Sequence, residues 1–502
     1  MQRQISHPTT KGNLPSFHHP KLVEVQADLE LVGDCWDLLR GAAKNRHLPK
    51  EQGEPEEAYK NRVRRSSYPS FFRDGINAFA GVLSRYELRG APGSLLDAQG
   101  DINGEGDSLK AWGMVADSLV MRDGGCLLMV DMPQQAAESR AEEKAQGRRP
   151  VFSIAERCNV LNWRLEKIGR KHVPVAVTVL EWHEVEAGDY GMKLEPRYRV
   201  MRGGEWQLIE IKGGEKGSKE SGQVTVEVLQ EGTFIGAGDQ PLQYPPVCWY
   251  GPPRDGFGDG APMLLSLANL TLDWFREYSD LKELLHRCAL PVTVLKDAGR
   301  EEGTPLTLGP NSLVKIKDPN GSLTFAEPTG SSLDKHLQHL AEIEKLIDRS
   351  TLSFLFSNSS GGQRTATQAE LESAQLQASI TSLAEAKSSC WQSLFELWGT
   401  FTGDLPEIGA GLDLLPGITD KPVDDELLTL AGTLYDRGLL RRETVTGLAQ
   451  RRGMLLPGIN GEKEAELLAQ EDADNEAKLN PPIPDPNDLA GDNVDAQGLP
   501  LN

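Results

Sequence analysis

Thr367-Gln368-Ala369-Glu370 is a capping box. Behind it Leu376, Ile380, Leu383, Trp391, Leu394, Leu397 and Trp398 recur along one side of a helix. The stretch is rich in Ala and Gln and runs about 35 residues, far above the mean for globular helices. Two more long helices precede it. One opens at Pro262, since proline suits a first helical turn. It carries Met263, Leu267, Leu270, Trp274, Tyr278, Leu281, Leu285 and Cys288, and stops at Leu290-Pro291. At about 1.5 Å per residue it is a rod of about 40 Å. The other starts at Ser331, with Leu333, Leu337, Leu340, Ile343 and Ile347 on its apolar side. Its other face holds Asp334, Lys335, Gln338, His339, Glu342, Lys345 and Asp348. Between these two helices, residues 291–330 read as short strands: Val292–Leu295, Leu313–Ile316 and Leu323–Phe325, with Asn320-Gly321 as a tight turn. So two long helices flank a small β-rich excursion, and a longer helix follows.

Upstream the pattern is mixed. Residues 1–25 read as a polar arm, and Leu29–Leu39 as a helix. Residues 57–85 carry apolar positions at helical spacing, interrupted by Pro69. The Arg62, Arg64, Arg65 cluster there reads as a solvated helix face, with a grip on phosphate or a neighbour's carboxylates as the sharper alternative. Leu109–Met121 reads as a helix, Cys126–Val130 as a buried strand and 132–150 as a loop. Val173–Leu180, Tyr198–Val200, Gln207–Ile211 and Gln223–Leu229 read as antiparallel strands between Gly-rich turns. Downstream, 357–364 (SNSSGGQR) is a polar loop and 403–422 a Gly/Pro-rich linker. Helices are expected near 424–437, 443–452 and 462–477, and disorder after Asn480.

Composition excludes several classes. With 502 residues and 38% hydrophobic content, the chain has material for several cores and no run long enough to cross a membrane. Residues 1–20 show no apolar core of a secretory signal. The six cysteines are scattered with no C-x-x-C pair, which predicts reduced, mostly buried thiols. The net charge of −21 argues against a protein that grips DNA by neutralising phosphates. Residues 461–502 hold eleven acids against two bases, so the acidity is partly a property of the tail.

No catalytic constellation stands out. The chain has no G-x-x-x-x-G-K-[ST], no H-E-x-x-H and no well-flanked G-x-S-x-G. Gly256, Gly258 and Gly260 read as a flexible joint rather than a phosphate loop. Asp101-Ile102-Asn103 starts like a calcium loop, but position twelve is Trp112 instead of Glu. His336, His339 and Glu342 share a helix face without an evident fourth ligand, so an exposed face is expected there rather than a metal site. His18-His19 reads as tail, and Trp391/Trp398 as core. No cofactor and no metal are expected, and the chain is not expected to be an enzyme.

The order of elements resembles the portal proteins of tailed bacteriophages. Local sequence agrees. Ala58–Tyr68 with Phe79-Ala80-Gly81-Val82, Val160-Leu161-Asn162-Trp163, Arg197-Tyr198-Arg199-Val200, Arg364–Glu370, and Arg437-Gly438-Leu439 with Arg451-Arg452-Gly453 resemble one portal family long labelled a domain of unknown function. The resemblance spans about residues 20–475. It implies an α+β portal fold: a wing over 26–255, stem helices over 256–290 and 331–350, and a clip over 291–330. It further implies a tunnel loop over 351–365, a long wing helix over 366–415, crown helices over 416–477 and an acidic tail over 478–502. The implied partners are further copies in a ring of twelve, the major capsid protein, the terminase large subunit, a head-tail adaptor, and double-stranded DNA that passes without tight binding. The implied place is the capsid portal vertex of a virion assembled in host cytoplasm. The residues expected along the DNA channel are Asn358, Ser359, Ser360, Gln363, Arg364, His339, Lys345 and Arg349, with intersubunit packing as the other role open to them. Those expected at adaptor or terminase docking are Lys296, Lys315, Lys317, Asp318 and Asn320. Another virion structural protein, an adaptor or scaffold, is the alternative, and a divergent hydrolase a further one.

Overall fold

The computed structural model describes residues 14–132, 149–212, 225–252, 256–288, 292–296, 322–326, 333–351, 366–414, 425–437, 441 and 445. It divides at Leu415 into two compact units.

The first unit begins with four helices: α1 (Pro20–Trp36), α2 (Ala42–His47), α3 (Glu56–Arg65) and α4 (Phe71–Leu83). Helix α1 starts inside the expected polar arm. His19 caps it, its Nδ1 accepting from the Lys21 amide at 3.2 Å. The His19 ring stacks on Trp163 at 3.9 Å, and Leu22 is buried. Long-range packing orders this segment, and local polarity gave no sign of it.

The chain continues through β1 (Tyr86–Arg89), α5 (Gly93–Ala98) and α6 (Leu109–Asp123). Ser108 caps α6 by accepting from the Ala111 amide at 3.3 Å. Gly124 ends it in the left-handed region at φ 77°. A Cβ on Gly124 would sit 2.2 Å from the Ala261 carbonyl oxygen. Then follow β2 (Cys126–Asp131), β3 (Val151–Glu156), β4 (Val160–Ile168), β5 (Lys171–Glu186), β6 (Met192–Arg202), β7 (Glu205–Lys212), β8 (Thr225–Thr233) and β9 (Val247–Tyr250). They form two antiparallel sheets. One has the order β3-β2-β9, and the other is the meander β4-β5-β6-β7-β8. The central β2 is buried on both faces, which explains its unbroken Cys-Leu-Leu-Met-Val run. β5 and β6 run well beyond their expected lengths, because cross-strand pairing carries them through polar ends such as Glu184↔Leu194.

The three long helices are α7 (Leu265–Cys288), α8 (Leu333–Ser350) and α9 (Ala366–Thr402), with the hairpin β10 (Val292–Lys296) and β11 (Ser322–Ala326) between the first two. Helix α7 starts three residues after Pro262, which lies in the preceding turn. In α9, Trp391, Leu394, Phe395 and Trp398 are wholly buried at i, i+3, i+4 and i+7. They pack against Trp112, Phe152, Tyr86 and Tyr250, so the helix is the keel of the main core. Each such side chain contributes about 1.5–3 kcal/mol by leaving water. The expected linker after α9 contains a strand, β12 (Gly411–Leu414), which pairs with β1 antiparallel. The Gly and Pro content signalled turns and hid this short pairing.

In the second unit the described element is α10 (Asp425–Asp436), at the first of the expected late helices. The expected helices at 443–452 and 462–477 and the disorder after Asn480 lie outside the described residues.

Candidate functional site

Helices α7 and α8 pack side by side, and their cross-contacts fix their sense. Trp274 Nε1 donates to Glu344 Oε1 at 3.0 Å, while Glu277 faces His336 at 3.2 Å and His339 at 4.0 Å. Rising numbers on one helix meet falling numbers on the other, so the pair is antiparallel. Between them the chain forms the β10–β11 ladder, with Val292 opposite Ala326 and Lys296 opposite Ser322. The chain thus leaves the body on α7, turns through a hairpin and returns on α8.

The pair buries one side along much of its length and leaves other positions half exposed. On α7, Leu267, Ala268, Leu272 and Phe275 are buried. Tyr68 meets Phe275 edge-on, Phe71 meets Trp274 likewise, and Trp274 stacks on Tyr278. Ser66 Oγ donates to Ser279 Oγ at 2.8 Å, and Lys282 Nζ donates to the Arg65 carbonyl at 3.0 Å. Burial, with Glu51 and Glu277 nearby, raises the Asp280 carboxyl above its usual range. On α8, Leu340, Ile343 and Ile347 are buried. Leu285, Leu337 and Leu346 are not: they remain 47%, 54% and 45% exposed. Each of the two helices carries four acids and three bases, so neither is a phosphate-binding stripe.

Within the basic cluster on α3, Arg64 stays on the expected exposed face, while Arg62 and Arg65 do not. Arg62 is buried and bidentate to Glu54 at 2.9 Å, and its Nη2 also donates to the Pro49 carbonyl at 2.8 Å. That hydrogen-bonded guanidinium holds the Glu54 carboxyl below its usual range. Arg65 pairs with Glu283 of α7. Arg62 thus ties α3 to the segment before it, and Arg65 ties α3 to the pair.

Of the expected channel residues, His339, Lys345 and Arg349 lie exposed on α8. His339 also stands 3.9 Å from Glu342. His336 and His339 converge on Glu277 rather than on a metal geometry, and among the described residues no three metal-binding side chains come together. Lys296 ends β10. Asn358, Ser359, Ser360, Gln363, Arg364, Lys315, Lys317, Asp318 and Asn320 lie outside the described residues.

Two charged clusters went unread in the sequence. Asp117 on α6 and Lys387 on α9 are both fully buried, with Oδ2 and Nζ 2.7 Å apart. Tyr250 donates to Asp117 Oδ1 at 2.8 Å, and Lys387 donates to the Leu83 carbonyl at 2.8 Å. Burial pushes the Asp117 carboxyl up and the Lys387 ammonium down, and each partner opposes the other's shift. The one available signal was a lone Lys one turn before Trp391 in an apolar stripe. The second cluster lines a cavity of about 550 Å³. There Arg199 bridges Glu181 at 2.5 Å and Asp131 at 3.2 Å, and His183 meets Glu181 at 3.0 Å. The guanidinium is neutralised by its two carboxylates, so this cavity is not built for an anion. Neither cluster pairs a nucleophile with a base, and the Asp117–Lys387 pair is closed to solvent. No described helix is long and apolar enough to cross a membrane.

Residues 263–402 match a family model described as a domain of unknown function, DUF4055. That match covers α7, the hairpin, α8 and α9. Among solved structures, a chain from the virion of a native gene transfer agent particle is similar at 12% identity and a TM-score of 0.40. It aligns over 75% of this chain and 89% of its own. A chain from the neck of an empty particle of the same kind, computed with C6 symmetry, gives 13% identity and 0.39, over 76% and 90%. The backbones diverge too far for these likenesses to establish a common fold. No curated protein matches the chain.

Proposed function

We propose that the chain is a virion structural protein of the head-tail connection, and specifically the portal subunit: a ring at one capsid vertex that passes double-stranded DNA. The observation that carries this is the antiparallel α7–α8 pair with a β-hairpin between them, followed by the 37-residue helix α9. That order is the one the family resemblance implies for stem, clip, stem and wing helix. The matched family segment runs over the same elements.

Physical chemistry favours the reading. Among the described residues, Leu285, Leu337 and Leu346 of the pair stay about half exposed within one subunit. A closed ring of copies would bury them against the neighbour. A conduit must let DNA slide, so its wall should not release a large counterion atmosphere on contact. The near-balanced charge of α7 and α8 and the net −21 of the chain fit that need. In this reading β10–β11 and the residues between them dock the terminase and later the adaptor. The 351–365 segment with His339, Lys345 and Arg349 faces the channel. In this reading the energy for packaging comes from the terminase, in keeping with a sequence that has no G-x-x-x-x-G-K-[ST] motif.

Negative-stain imaging of the purified protein, with its mass by light scattering and an ATPase assay, tests this. Rings with a central hole wide enough for duplex DNA and no ATP hydrolysis are expected. ATP hydrolysis by rings free of terminase would overturn the division of labour. A monomeric enzyme activity would overturn the whole reading.

A further inference from the structure

Cys248 lies in β9 and Cys390 in α9, 142 positions apart in sequence, with their Sγ atoms 3.4 Å apart. This is van der Waals contact between two free thiols. Cys390 is buried, and burial raises its thiol well above the ordinary value. Cys248 is half-buried. An open groove of about 700 Å³, lined by both cysteines with His172, Ser389, Ser393 and Leu397, gives small molecules access. Cys126 also lies near, and its Sγ donates to the Ala116 carbonyl at 3.9 Å. Among the described residues no three metal-binding side chains converge, so the site is a dithiol and not a soft-metal cage.

We propose that Cys248 and Cys390 form a redox site that hydrogen peroxide converts into an intrachain disulfide, fastening β9 to the long helix α9. In the first step the half-buried Cys248 thiol reduces peroxide: Sγ gains the hydroxyl oxygen as sulfenic acid, and one water leaves. In the second, Cys390 Sγ, held in contact at 3.4 Å, gives up its proton and attacks Cys248 Sγ; burial of Cys390 disfavours its thiolate and makes this the slow step. The S–S bond forms, the S–O bond breaks, and the Cys390 proton leaves with the hydroxyl as a second water. Peroxide is reduced by two electrons, and the two thiols lose two hydrogens between them. The link closes a long loop, which narrows the unfolded ensemble and holds the keel of the core to its sheet. The site lies within one subunit and does not depend on ring assembly, so it stands or falls separately from the portal reading.

The test treats the reduced full-length protein with hydrogen peroxide, blocks remaining thiols and maps the non-reduced digest by mass spectrometry. A single cross-linked pair joining Cys248 to Cys390 is expected, with two of the six thiols lost. The thermal midpoint should rise, and dithiothreitol should reverse the rise. Cys248→Ser should abolish both effects. Cys390→Ser should leave Cys248 as a sulfenic acid that dimedone traps. Oxidation of Cys248 to sulfinic acid without a cross-link, a cross-link through other cysteines or between chains, or no reaction at all would each overturn the proposal. If Cys390→Ser fails to fold, the wild-type map and Cys248→Ser still decide.

Discussion

Replacing Lys387 with Met removes the ammonium that faces Asp117 and keeps most of the side-chain volume. Three losses follow from the geometry. Asp117 keeps only the Tyr250 hydroxyl, the Leu83 carbonyl loses its 2.8 Å donor, and the cation 4.3 Å above the Tyr86 ring is gone. Breaking a buried ion pair on one side costs about 3–5 kcal/mol. The sign of the pH dependence is fixed. Asp117 is already raised by burial, and Lys387 is the main group pulling it back. Without that pull its folded pKa rises further above the unfolded value of about 3.9. The variant is therefore penalised at neutral pH and relieved as pH falls, by about 1.4 kcal/mol per unit between the two pKa values. The assay is urea denaturation of the purified protein from pH 5 to pH 8, wild type beside variant. The double change Lys387→Met with Asp117→Asn should recover much of the loss. A Lys387→Met variant within about 1 kcal/mol of wild type at pH 7, or with no extra relief in acid, would refute the reasoning, because it falls below the range for a broken buried pair.

Four further outcomes are expected. Trp398→Ala removes a wholly buried ring and its 3.0 Å hydrogen bond to Ser94 Oγ, and should cost about 3–5 kcal/mol by the same denaturation assay. Gly124→Ala places a Cβ against the Ala261 carbonyl at a left-handed position, and should cost more than the roughly 1–2 kcal/mol of the backbone strain alone, read by thermal melting. Arg62→Met strips Glu54 of the partner that holds its pKa down. The loss, about 1–3 kcal/mol at neutral pH, should shrink only as pH falls below the ordinary carboxylate range and through the lowered folded pKa of Glu54, where the wild-type carboxylate is itself protonated. Leu337→Glu with Leu346→Glu should change the stability of the isolated subunit by less than about 1 kcal/mol, since both positions face water, yet abolish rings in negative stain.

Helix periodicity exposed the long elements because their stripes are strong. Leu340, Ile343 and Ile347, and Trp391 through Trp398, lie at helical spacing and are buried as that spacing demands. β2 was legible for the same reason, as an unbroken apolar run. What stayed hidden depends on distant partners. Pro20–Trp36 begins in polar sequence because Trp163 lies under His19. Gly411–Leu414 becomes a strand only because Tyr86–Arg89 offers an edge. Arg62 and Arg65 read as solvent-facing charge, and only the fold brings Glu54 and Glu283 to them. The same holds for Asp117 and Lys387, 270 positions apart. For the candidate site, the helix-hairpin-helix order was legible. The cross-helix pairs Trp274–Glu344 and His336–Glu277 were not, since periodicity fixes a face without fixing the rotation of one helix against another.

The central claim is that α7 and α8 line the wall of a closed ring. Electron cryo-microscopy of the purified full-length protein tests it most directly. The account predicts a ring in which the α7–α8 pair of every subunit surrounds a duplex-wide channel. Leu285, Leu337 and Leu346 would be buried against neighbours and the β10–β11 hairpins gathered at one end. A monomer or dimer at high concentration whose helix pair keeps those leucines in water, or a ring with the pair facing outward, would contradict it.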